Sequence, residues 1–156
     1  MVKDTLEKWH HMDESYTAIA LWNCSSIIKK FPDKVEFSKL KTLFLEGGRK
    51  RNRDFLVVFG FPSLPNLKTL WCHNCMLKNF SSSLTNMRSL EILALIGTEI
   101  DEISEELVKL SALQYIRLSG VEFEEEMNIP PNLVSRRFCA SQTTKVRYSS
   151  WRKLWY

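Results

Sequence analysis

Cys72-His73-Asn74-Cys75 is the most suggestive chemistry in this chain. Two thiols three residues apart, with an imidazole between them, are the ligand types of half a zinc site or of a redox pair. A structural zinc site needs four ligands. No second Cys/His pair stands at a plausible spacing: the other thiols are Cys24 and Cys139, and the other histidines are His10 and His11. Asp101, Glu102, Glu105 and Glu106 are carboxylates close enough along the chain to suggest paired acid and base work. Arg49-Lys50-Arg51-Asn52-Arg53 is a basic run of the kind that contacts phosphate or serves as a nuclear-localisation signal. With three histidines in the whole chain, two of them adjacent near its start, no Ser/His/Asp or Cys/His triad assembles on paper.

The elements that would position these groups come from a repeat. An aliphatic residue, two of any kind, an aliphatic, one of any kind and an aliphatic recur as Leu40-x-x-Leu43-x-Leu45, Leu67-x-x-Leu70-x-Cys72, Leu90-x-x-Leu93-x-Leu95 and Leu113-x-x-Ile116-x-Leu118. A looser copy is Tyr16-x-x-Ile19-x-Leu21, and the five starts are 24, 27, 23 and 23 residues apart. Alternation at the last two anchors describes a short strand with both pointing inward. Between strands the anchors fall about three residues apart: Leu77, Phe80, Leu84 and Met87 in one return, Ile100, Ile103, Leu107 and Leu110 in the next. A period of about 20 to 29 residues with this pattern is that of a leucine-rich repeat. The fold class expected is an α/β repeat: a leucine-rich-repeat solenoid with short parallel strands on the concave face and irregular or short helical returns on the convex face.

In this frame Cys72 is an inward anchor. Cys75 falls in the position three beyond the last anchor, shared with Cys24, Gly48, Thr98 and Val121, where a small or hydrogen-bonding residue is expected. Buried free cysteine behaves as a small hydrophobe, so the two thiols read as core, with His73 facing out. The four carboxylates lie among return anchors and read as solvated. The basic run lies in the insertion that lengthens one spacing to 27 residues, and reads as an exposed loop.

The expected organisation is a lead-in over 1–14, about five repeats over 15–132 and a basic tail over 133–156 without repeat anchors, expected to be mobile. The chain carries 22 basic and 18 acidic residues, yet its last 24 residues hold six basic residues and no acidic one. The basic excess belongs to the tail, which argues against nucleic acid as a partner of the repeats. The longest apolar run, Phe55 to Phe59, is far short of the roughly 20 residues of a membrane helix, so no membrane span is expected. The charged start, Met1-Val2-Lys3-Asp4, lacks a signal segment. A cytoplasmic address and free thiols are the resulting expectations, and Asn23-Cys24-Ser25 and Asn79-Phe80-Ser81 read as accidental sequons.

The returns Ile28-x-x-Phe31-Pro32 and Ile100-x-x-Ile103-Ser104-x-x-Leu107-x-x-Leu110 resemble those of intracellular plant disease-resistance proteins of the coiled-coil, nucleotide-binding, leucine-rich-repeat family. The stretch Leu6-Glu7-Lys8-Trp9 followed by Ser15-Tyr16-Thr17-Ala18-Ile19-Ala20-Leu21 is similar to that family's passage from nucleotide-binding module into first repeat. The resemblance covers about residues 1–132. It implies a role in defence and a protein partner, either the neighbouring nucleotide-binding domain or a separate ligand. The sequence holds no Gly-x-x-x-x-Gly-Lys-Ser/Thr loop and no coiled coil, so receptor switching does not carry over. What is implied is the sensing and autoinhibitory repeat region, as a fragment or a truncated homologue.

Strand alternation then places the binding surface. Three columns point outward: Ala18, Thr42, Thr69, Ile92 and Tyr115; Ala20, Phe44, Trp71, Ala94 and Arg117; Trp22, Glu46, His73, Ile96 and Ser119. Trp22, Phe44, Trp71, His73, Tyr115 and Arg117 are the expected partner-binding residues, since Trp, Tyr and Arg are enriched at binding hot spots. No catalytic residue, cofactor or metal is expected. The alternatives are a small metal or redox protein using Cys72 and Cys75, and a non-functional gene fragment.

Overall fold

The computed structural model describes residues 15–24, 27–28, 37–48, 56–101, 106–123 and 137–140; of 27, 28, 108, 122, 123 and 137–140 only the backbone is described. The expectations for the 1–14 lead-in, the 49–53 run, Ile103, Glu102, Glu105 and the tail beyond 140 lie outside these residues. The chain winds as a repeat solenoid between two parallel sheets. The first sheet has six strands, in the order β1 (Ala18–Cys24), β3 (Thr42–Gly47), β5 (Thr69–His73), β7 (Ile92–Ile96), β9 (Tyr115–Ser119) and β11 (Arg137–Ala140). The second has five: β10 (Glu122–Phe123), β8 (Glu99–Ile100), β6 (Cys75–Lys78), β4 (Leu56–Phe59) and β2 (Ile27–Ile28). Two short helices, α1 (Phe80–Leu84) and α2 (Glu106–Lys109), complete the described elements.

The register of the first sheet is the one the repeat demands. Leu43, Leu70, Leu93 and Ile116 stand opposite one another, as do Leu45, Cys72, Leu95 and Leu118. All eight are buried. Inward alternation on a strand removes each of these side chains from water, worth about 1.5–3 kcal/mol for a full-sized aliphatic. Four successive turns begin with the same pair of backbone bonds. Lys41 and Thr42 both donate to Thr17, Lys68 and Thr69 to Lys41, Glu91 and Ile92 to Lys68, and Gln114 and Tyr115 to Glu91.

The spacing of three in the returns has a matching cause. Backbone N–H groups of anchors reach carbonyls three residues back, Leu40 to Phe37, Leu67 to Leu64, Met87 to Leu84, Leu90 to Met87 and Leu113 to Leu110. Tight turns of this kind bring residues i and i+3 to one side. Leu77, Phe80, Leu84, Met87 and Leu90 are accordingly fully buried, and Ile100, Leu107, Leu110 and Leu113 nearly so.

The returns are more regular than expected. After β5, β7 and β9 the chain turns a sharp corner and at once enters the second sheet, which the repeat pattern did not reveal. Asn74, Gly97 and Gly120 stand at successive corners with φ of 51°, 54° and 61°. Only glycine, and asparagine among the side-chain-bearing residues, adopts this left-handed region readily. One corner is built differently. Gly47 ends β3, and a Cβ there would meet the Asn74 carbonyl oxygen at 2.0 Å. The same oxygen accepts from Leu56 N at 3.2 Å, so the chain rejoins the second sheet at Leu56 after its insertion.

Two boundaries move. In β1, Leu21 pairs with Leu45 but Cys24 pairs with Gly47, so Trp22 and Asn23 together oppose Glu46. This bulge, with Asn23 at φ 55°, breaks the expected pairing of Trp22 with Glu46 and of Cys24 with Gly48. At the other end, Arg137–Ala140 extends the first sheet beside β9, with Phe138 opposite Ile116 and Ala140 opposite Leu118. The expectation that no repeat strand lies beyond 132 is corrected to that extent. The pattern missed it because Ser135 stands where the first aliphatic anchor belongs and Ala140 at the last.

Candidate functional site

Of the six expected binding residues, the structure brings four together. Trp22, Phe44 and Trp71 form a contiguous aromatic triangle on the outward face of the first sheet. The Trp22 and Phe44 rings stack at 6.1 Å with 15° between planes. Trp71 lies tilted against both, 6.0 Å from Trp22 and 5.7 Å from Phe44. The His73 ring meets Trp71 edge-on at 5.5 Å. Phe44 and Trp71 adjoin because they are register partners on β3 and β5. Trp22 joins them through the β1 bulge. Trp22 remains 45% exposed, whereas Phe44 and Trp71 are half-buried.

Arg117 and Tyr115 lie two strands away on β9. Arg117 is exposed and Tyr115 half-buried. The residue between Trp71 and Arg117 in their column is Ala94, which is 5% exposed. The outward row is thus interrupted by a small buried residue, and the aromatic triangle is a feature of the first three strands. Glu46 also departs from the outward expectation. It is 5% exposed, with its Oε1 3.3 Å from His73 Nδ1. Sequence reasoning placed the two side by side in one column without pairing them.

The two thiols behave as the repeat frame requires. Cys72 and Cys75 are fully buried and reduced. Burial pushes the Cys72 thiol well above its ordinary range, and the adjacent Cys75 thiol adds to the effect. Such a group is the reverse of an activated nucleophile. Cys75 Sγ–H points at the carbonyls of His73, 3.4 Å away, and of Leu45 in the preceding turn, 3.6 Å away. Thr98, one turn on, repeats this: its hydroxyl reaches Ile96 O at 3.1 Å and Cys72 O at 3.3 Å. Cys24 reaches Trp22 O at 3.6 Å. At Cys24, Cys75 and Thr98 the shared position therefore supplies a weak donor to corner carbonyls inside the core, as buried polar groups require. Among the described residues, no group of three or more His, Cys, Asp and Glu side chains is placed to hold a metal.

The acidic group is split in role. Glu106 pairs with Lys109 on α2. Asp101, expected to be solvated, is half-buried instead. Its carboxylate accepts from Asn79 N and, at 3.4 Å, from Phe80 N. Asn79 precedes α1 without a side-chain cap of its own, so Asp101 supplies the cap from the next turn.

No helix among the described residues is long and apolar enough to cross a membrane. Compared with known proteins, the chain matches no family model, no curated protein and no solved structure.

Proposed function

We propose that this chain is a leucine-rich-repeat module that binds protein and catalyses nothing, acting in the cytoplasm as the sensing and autoinhibitory repeat region of a plant immune receptor or of a truncated homologue. The observation that carries the binding reading is the Trp22–Phe44–Trp71 triangle. Three large rings stand together on the outward side of a sheet whose other side is the core. Contiguous apolar surface of this kind marks interaction sites, and Trp and Arg are hot-spot types. The leucine-rich-repeat reading is supported by the 23-residue spacing, the anchors in register and the small donors Cys24, Cys75 and Thr98 at one repeat position. The plant-immunity reading rests on the resemblance of the lead-in and the returns. The metal or redox alternative would need Cys72 and Cys75, whose thiols are both buried.

The test begins with the full transcript and asks whether its reading frame continues upstream into a nucleotide-binding module. That module is then co-expressed with the chain. Trp71→Ala or Arg117→Ala is expected to weaken the complex by about 2 kcal/mol while leaving the circular dichroism unchanged. If both variants bind as the parent does, and Glu106→Lys on α2 abolishes binding, the wrong face has been chosen. A transcript with no such module, together with no complex, overturns the receptor reading.

A further inference from the structure

A second feature lies where the strands of the first sheet begin. A cleft of about 350 Å3 opens there between the starts of four successive turns. Its walls are two rows of residues at matching repeat positions. One row, immediately before the strands, is Thr17, Lys41 and Lys68. The other, three residues before them, is Lys39, Asn66 and Ser89. Ser38 completes the lining, which thus brings three ammonium groups, three hydroxyls and an amide, and no carboxylate.

The walls are held in place by backbone. Lys41 N donates to Thr17 O and Lys68 N to Lys41 O, both at 2.8 Å. The Asn66 amide donates to Ser38 O at 2.6 Å, tying one turn to the next. Lys41 and Lys68 therefore stand at the same level of adjacent turns, about 4.8 Å apart along the sheet. Like charges stacked in this way repel. Glu91 in the next turn relieves Lys68, with Nζ–Oε1 at 2.7 Å. Lys39 and Lys41 have no carboxylate partner among the described residues. Both ammonium groups are exposed and open to an anionic ligand.

We infer that this cleft binds a small, multiply phosphorylated molecule, with Lys39 and Lys41 as its principal contacts. Lysine serves phosphate as a mobile point charge, and hydroxyl and amide donors complete the shell. Lys39 and Lys41 precede β3 in one turn and Lys68 stands at the start of the next, so the fitting ligand carries more than one anionic group. Two sources share this chemistry, a soluble cyclitol polyphosphate and a phosphoinositide headgroup. The site is separate from the aromatic triangle, and its failure would leave the protein-binding reading untouched.

The test uses the full chain in phosphate-free buffer. Inositol hexakisphosphate is titrated calorimetrically, and vesicles of phosphatidylcholine with phosphatidylinositol bisphosphate are tested by flotation. Binding of at least one probe is expected, falling as salt rises. Lys39→Ala/Lys41→Ala should weaken it at least tenfold, each lost charged hydrogen bond being worth about that factor or more. Both side chains are exposed, so the fold, checked by circular dichroism, should persist. Lys109→Ala removes a positive charge on α2, outside the cleft, and should bind as the parent does. Binding to the soluble probe alone assigns the soluble source, and flotation with equal loss in the double variant assigns the membrane source. No binding of either probe at millimolar concentration, or equal loss in Lys109→Ala, overturns the inference.

Discussion

His73 Nδ1 lies 3.3 Å from Glu46 Oε1, and the glutamate side chain is only 7% exposed. The pair joins adjacent turns of the solenoid, on β3 and β5, at the foot of the aromatic triangle. A nearly buried carboxylate left without its imidazole loses a polar partner and keeps its desolvation cost. His73→Ala is therefore expected to destabilise the fold by about 1–3 kcal/mol in urea unfolding. Glu46→Gln/His73→Ala together should cost less than the sum of the two single changes. Strict additivity would show that the pair does not interact.

The buried Cys72 thiol makes stability depend on alkaline pH. Its folded pKa is raised by burial, with the Cys75 thiol adding to the effect, while an unfolded thiol titrates near about 8.5. Above that value the unfolded chain releases a proton that the folded chain retains. The stabilising contribution is therefore complete below about pH 8.5 and is lost as pH rises beyond it, by up to about 1.4 kcal/mol per pH unit. Chemical denaturation under reducing conditions from pH 7 to 10 should show this decline. Cys72→Val should flatten it. An unchanged slope in that variant would mean that other groups cause the decline.

Asp101 caps α1 from the following turn, accepting from the backbone of Asn79 and Phe80. Asp101→Ala removes the acceptor and leaves helix N–H groups unpaired. The expected loss is about 1 kcal/mol, the usual value of an N-cap. Asp101→Asn should retain much of the stability through its amide oxygen. The two variants would unfold at the same denaturant midpoint if the carboxylate were merely solvated.

Gly47 lies where the backbone of one turn comes close against that of the next. A methyl group there would meet the backbone oxygen of Asn74 at 2.0 Å and Leu56 N at 2.8 Å. Backbone cannot step aside as a side chain can, so the strand ends must separate. Gly47→Ala is expected to cost about 3 kcal/mol, at the upper end of overpacking penalties. Gly60→Ala provides the comparison, since the atom nearest its added Cβ is Ser83 Oγ at 3.7 Å. Its cost should come from its φ of 72° rather than from crowding. Equal midpoints for parent and Gly47→Ala would show that this corner is looser than its geometry.

By itself the sequence determined whatever depends on local period. Alternation along each strand set the inward anchors, and recurrence of the anchor pattern set their register, so Leu43, Leu70 and Leu93 align although their spacings differ. The same arithmetic put Phe44 beside Trp71, buried Cys72 and assigned Cys75 to the donor position. Tertiary structure decided what depends on how one turn settles against the next. The second sheet arises from segments as short as two residues, such as Glu99–Ile100, too short to show a period of their own. The bulge that swings Trp22 onto Phe44, the burial of Glu46 under His73 and the reach of Asp101 to a helix 21 residues earlier all depend on lateral spacing between turns. So does the lysine cleft, whose members are 23 to 27 residues apart between neighbouring turns and meet only because the turns stack. The strand Arg137–Ala140 was hidden because Ser135 and Ala140 stand where aliphatic anchors are expected. Pairing with β9 uses backbone groups, which every residue carries except the missing N–H of proline, and so leaves little mark on side-chain pattern.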